Sequence, residues 1–166
     1  MNKKVLEEKN AMYSVLKKRR VGEEGREKVL KVYNLLKSSI PKELRKKCNF
    51  GYLIDKSQGY IKMKIYNYKT FLLPYNKNQV QIIYPEDKVN TLYGVLKEDR
   101  IKEVTSFCKF RDFPCYILYL TLDEVLRFKD ENWECFSEAC YLQSKAEKVK
   151  DVQGTVEINW EEKLSL

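Results

Sequence analysis

The spacing of apolar positions changes character near residue 50. Before it the period is helical. Residues 3–18 predict a helix with a sparse stripe of Val5, Met12 and Leu16, and the basic run that closes it complements the helix dipole. Residues 23–37 predict a stronger helix: Val29, Val32, Tyr33 and Leu36 fall on one face, Glu23 and Glu24 begin it, and Lys37 ends it. Pro41 suits the first turn of a short helix reaching Lys47, where a missing amide hydrogen matters least.

Beyond that point the period is two. Phe50–Ile54 is a strand-like apolar run. Tyr60–Tyr66 is the clearest strand, with Ile61, Met63 and Ile65 on one face and Tyr60, Lys62, Lys64 and Tyr66 on the other. Asn67-Tyr68 predicts a turn into a strand over Lys69–Leu73, and Asn76-Lys77-Asn78 a second turn into Val80–Tyr84, completing an antiparallel meander whose middle strand Pro74 limits.

Residues 88–98 predict a helix with Val89, Leu92, Tyr93 and Leu96 as its apolar face, weakened by Gly94, and Ile101–Lys109 fits either state. The run Cys115–Leu122 is apolar on both faces and predicts an interior strand extended through Val125 and Phe128. Residues 133–149 read as a helix with Trp133, Phe136 and Cys140 on one side, and Val156–Trp160 as a last short strand. The order of elements predicts an α+β fold: a helical N-terminal region packed on an antiparallel or mixed β-sheet, with a further helix near the C terminus. The expected organisation is a single domain over 1–166, with 1–47 as a basic helical region and 50–166 as the sheet-containing core.

Charge sharpens this picture. The 166 residues carry 32 Lys and Arg against 24 Asp and Glu, a formal +8. Residues 1–83 hold 20 basic and 7 acidic side chains, a balance of +13, whereas residues 84–166 hold 12 and 17, a balance of −5. A phosphate-rich partner is expected to meet the first half. His is absent, which excludes His-based nucleophile triads, Cys2His2 zinc fingers and imidazole general bases. Neither a phosphate-binding P-loop nor a dinucleotide-binding glycine pattern occurs. The chain has no apolar run of the ~18 residues that a membrane span needs, and its charged first residues do not form a signal peptide. An intracellular location, cytoplasmic or nuclear, without a membrane partner, is therefore expected. The odd count of 5 Cys fits a reducing compartment, and free thiols are the simpler reading of Cys108, Cys115, Cys135 and Cys140, with a four-thiolate zinc site as the alternative.

The sharpest binding feature is the face Tyr60, Lys62, Lys64 and Tyr66: ammonium groups contact phosphates, and phenol rings stack on exposed bases. Lys69 and Lys77 widen it. A solvated strand face accounts for the same alternation without a ligand. Lys17, Lys18, Arg19 and Arg20 form a second candidate phosphate clamp, and Arg45, Lys46 and Lys47 extend the footprint, although a basic helix end and a solvated charge run explain them equally. These residues point to a nucleic-acid-binding protein whose partner is DNA or RNA and whose binding needs no cofactor.

The alternative is a Mg²⁺-dependent nuclease built on a carboxylate cluster, a chemistry that needs no His. Asp151 followed by Glu161-Glu162-Lys163 resembles the D-x(n)-E-x-K pattern of the PD-(D/E)xK nucleases over a short stretch, with Lys150 in place of the family's proline. The resemblance implies metal-binding acids and an assisting Lys163. Asp123-Glu124 and Glu86-Asp87 are further carboxylates for such a cluster. A third reading is a protein-interaction or inhibitor domain, presenting Trp133, Phe136 and Tyr141 or pairing its basic and acidic faces in a homo-oligomer.

Overall fold

Val29, Val32, Tyr33 and Leu36 are all buried on helix α2 (Glu23–Ser39), the face their spacing predicts. The helix stops where the chain forces it to: Ile40 precedes Pro41, the proline ring clashes with a helical conformation at the residue before it, and Ile40 is extended at φ −80°, ψ 129°. The Pro41 carbonyl then accepts the Leu44 amide at 3.0 Å and opens the short α3 (Lys42–Arg45). The computed structural model describes residues 3–18, 22–45, 52–55, 60–65, 68–72, 80–108, 115–145 and 158–164, with backbone alone for the strands between 52 and 72.

The fold is α+β, and the described residues form two three-stranded antiparallel sheets. The first is β1 (Tyr52–Asp55), β2 (Tyr60–Ile65) and β3 (Tyr68–Leu72) in sequential order, flanked by α1 (Lys3–Lys18). The second has the order β4-β6-β5, from β4 (Val80–Pro85), β5 (Thr105–Cys108) and β6 (Cys115–Leu120). The predicted meander is corrected here. Residue 68 begins β3 rather than turning into it, and the Val80 strand pairs in full register with β6, Val80 opposite Leu120 through Pro85 opposite Cys115. The reason is burial: adjacent Ile82 and Ile83 are both covered, so β4 is apolar on both faces and joins the strand that shares this property.

β6 is central, as its apolar run predicts, but it ends at Leu120 instead of extending through Val125 and Phe128. Thr121 caps α5 (Leu122–Leu126): its Oγ1 accepts the Glu124 amide at 3.1 Å, and its own amide donates to Glu124 Oε1 at 3.0 Å. The last predicted strand is not a strand where it is described: Ile158 and Asn159 belong to no regular element, and Trp160 begins a helix. Asn159 Oδ1 accepts the Glu162 amide at 3.3 Å, and α7 (Trp160–Leu164) follows. Trp160 packs tilted against Tyr116 of β6, ring centroids 6.5 Å apart. Burial, with the negative charges of Glu86 and Glu162, pushes the Tyr116 phenol up to about 12.

Residues predicted as an α-helix from 88 to 98 form a 3-10 helix, η1 (Glu86–Gly94), followed after a break by α4 (Glu98–Val104). The tighter winding keeps Val89 and Leu92, three apart, on the buried side and turns Tyr93 outward, where it is 37% exposed. Helix α6 (Asp130–Lys145) lies on β4 and η1. It buries Phe136 completely, worth roughly 2–3 kcal/mol by side-chain transfer, and sets Trp133 edge-on to Phe128 and Phe136. The helix starts three residues earlier than its apolar pattern suggests, because Asn132 Oδ1 accepts the Lys129 amide at 2.9 Å. α2 contacts both α5 and α6, so the basic helices and the second sheet share one core cluster.

One buried hydrogen-bond chain ties α6 to β4 and η1. Asn132 Nδ2 donates to the Tyr84 hydroxyl at 3.2 Å, that hydroxyl bonds Thr91 Oγ1, and Thr91 donates to the Lys88 carbonyl at 2.7 Å. Burial raises the Tyr84 pKa above its ordinary value, so the hydroxyl stays a donor. Tyr84→Phe takes the Tyr84 acceptor from the Asn132 amide, which keeps the Thr91 carbonyl at 3.5 Å, and is expected to cost about 1–3 kcal/mol of stability. In urea unfolding, a double-mutant cycle with Asn132→Ala should show coupling of about 1 kcal/mol; strict additivity would mean that the chain is not a unit.

Candidate functional site

The pairing register assigns the first sheet two chemically different faces. Residues directly opposite in an antiparallel ladder share a face. Lys62 stands opposite Leu53 and Phe71, Lys64 opposite Lys69, and Tyr60 opposite Asp55. The alternate positions, among them Ile54, Ile61, Met63, Ile65 and Leu72, are almost entirely apolar. Three lysines and two aromatic residues therefore fall on one face of a sheet whose other face is built to be covered, and α1 runs beside β1 and β2.

The remaining predicted contacts fall in different places. Lys17 is exposed in the last turn of α1. Lys18 ends α1 and Arg45 ends α3; their side chains lie outside the described residues. So do the side chains of Tyr60, Lys62, Lys64 and Lys69, whose backbone positions are given above. Arg19, Arg20, Lys46, Lys47, Tyr66 and Lys77 lie outside the described residues altogether.

Three of the carboxylates named for a nuclease sit in separate ion pairs. Asp123 meets Lys28 at 3.0 Å, Glu124 meets Arg100 at 2.7 Å, and Glu86 pairs with Lys163 of α7, the lysine of the E-x-K match. Asp151 lies outside the described residues. Cys108 and Cys115 are opposite each other in the β5–β6 ladder, while Cys115, Cys135 and Cys140 are buried. Among the described residues no three Cys, Asp or Glu side chains converge as a metal site requires. No helix among them is long and apolar enough to cross a membrane.

A second site escaped the sequence reading. The link between η1 and α4 faces α5 across an open cleft of about 400 Å³, lined by Tyr93, Leu96, Lys97, Arg100, Glu124 and Arg127. Outside this lining, the Lys129 ammonium lies 3.5 Å from where a Cβ on Gly94 would stand. Arg100 grips Glu124 in a fork, Nε to Oε2 at 2.8 Å and Nη2 to Oε1 at 2.7 Å, and its Nη1 reaches Glu103 at 3.1 Å. Lys97, Arg127 and Lys129 meet no carboxylate among the described residues. The half of the chain that is acidic overall thus carries a cationic cleft. Sequence reasoning missed it because Lys97 and Arg100 are far in sequence from Arg127, and because Tyr93 was assigned to the core.

Burial opposes the charge on Glu124, but the Arg100 fork and the Thr121 amide outweigh it and hold its carboxyl below the usual carboxylate range. Compared with protein-family models, curated proteins and solved structures, the chain gives no match.

A carboxyl with a depressed folded pKa contributes stability that is complete above its unfolded value of about 4.3 and is lost as pH falls through the folded value. Thermal melts should therefore show stability falling below about pH 4.3. Glu124→Gln should cost about 2 kcal/mol near neutrality, because Arg100 loses the charge of its forked, buried partner, and its acid limb should be shallower than that of the wild type. The neutral-pH loss corresponds to a drop of about 4–8 °C in Tm. An acid limb of unchanged steepness would remove Glu124 from the account.

Proposed function

We propose that this protein binds nucleic acid through the basic face of its first sheet, with the exposed end of α1 as a flanking phosphate contact. The observation that carries the reading is the ladder register: Lys64 directly opposite Lys69, with Lys62, Tyr60 and Phe71 at neighbouring positions of the same face. Like charges directly opposite one another destabilise an antiparallel pair, and a polyanion laid across the face relieves that repulsion. Aromatic residues among the lysines suit unstacked bases, since base–aromatic stacking is worth about 1–3 kcal/mol per base and tolerates any sequence. The +13 balance of residues 1–83 supplies the long-range attraction that precedes contact.

The test is a binding panel with single- and double-stranded DNA and RNA over a range of salt, with and without Mg²⁺. Affinity is expected to fall steeply with salt. The double variant Lys62→Glu/Lys64→Glu should weaken every competent substrate by about tenfold or more and flatten the logarithmic salt slope by about 2. Absence of salt-sensitive binding at low ionic strength would reject the reading, and Mg²⁺-dependent strand cleavage would replace it with the nuclease alternative.

A further inference from the structure

We infer that the cleft between the η1–α4 link and α5 is a second, separate site, which takes a phosphomonoester carrying a planar ring, a ligand of the nucleoside monophosphate class. Four observations meet there. The volume of about 400 Å³ falls within the range of small-ligand sites, roughly 300–1,000 Å³. Lys97 and Arg127 line the cleft without carboxylate partners among the described residues. The one acid in the lining, Glu124, is neutralised by the Arg100 fork and cannot serve as counter-ion to the others. Tyr93, turned outward by the 3-10 winding, offers a ring at one wall above the apolar Val95 and Leu96.

Together these describe an anion seat next to a stacking surface. Two cations that share a cleft without counter-charges repel one another, and a phosphate group relieves both; an Arg guanidinium is matched to its paired oxygens. The Arg100–Glu124 pair does not have to bind the ligand. It anchors α4 to the start of α5 and so holds Lys97 and Arg127 on opposite walls before the ligand arrives, which lowers the ordering cost of binding. A free nucleotide and the 5′-phosphorylated end of a strand present the same chemistry.

Calorimetric titration of the full chain with AMP, adenosine and inorganic phosphate tests this. AMP is expected to bind saturably and more tightly than either fragment. Lys97→Glu and Arg127→Glu, both at exposed positions, should each weaken AMP by about tenfold while leaving the melting curve close to that of the wild type, and Tyr93→Ala should weaken AMP more than phosphate. A 5′-phosphorylated trinucleotide compared with its 5′-hydroxyl form separates the two sources: tighter binding than AMP only when phosphorylated assigns the strand end, and weaker binding than AMP assigns the free nucleotide. No saturable AMP binding at millimolar concentration, or AMP binding unchanged in both charge variants, would overturn the assignment. A chain that binds AMP but no polynucleotide keeps this site and loses the sheet reading; the reverse outcome does the opposite.

Discussion

A carboxylate that is nearly out of water must find compensation on every side, and Glu124, 6% exposed, organises the second half of the molecule by that requirement. Its oxygens take the Thr121 amide and the fork of Arg100, while its own amide goes to Thr121 Oγ1. The first exchange ends the central strand and starts α5; the second pulls α4 against it. The path from β6 into α5, the position of α4 and the shape of the cleft follow from satisfying one buried charge.

The Asn132–Tyr84–Thr91 chain does comparable work at the other end of the same layer. It joins α6, β4 and η1 through the buried Asn132 and Tyr84 and the half-buried Thr91. Between them, the two polar clusters set the ends of a core that is otherwise apolar and non-directional. Hydrophobic burial says that Leu118, Phe136 and Leu36 must be inside; the hydrogen bonds decide which helix faces which strand.

Charge is partitioned over this framework in a way that net values conceal. The strongly basic half contains α1, α2 and the lysine-bearing sheet, and it is joined to the acidic half through the contacts of α2 with α5 and α6. The acidic half still gathers Lys97, Arg100 and Arg127 about one cleft.

Much of this was legible locally. The helical face of α2, the central position of β6 and the alternation of β2 are read directly from spacing, because a helix or strand with one apolar side must bury that side wherever it finally packs. The caps at Thr121 and Asn159 were also present in local sequence as a Thr or Asn three residues before a Glu, a signal stronger than the apolar run and the short strand pattern that masked it. Tertiary structure alone decided the partner of β4, the 3-10 winding that expels Tyr93, and the meeting of Lys97 and Arg100 with Arg127. The physical reason is the same in each case. A sequence pattern records which side of an element avoids water, but not which distant surface covers it, and charges converge only after those surfaces have chosen one another.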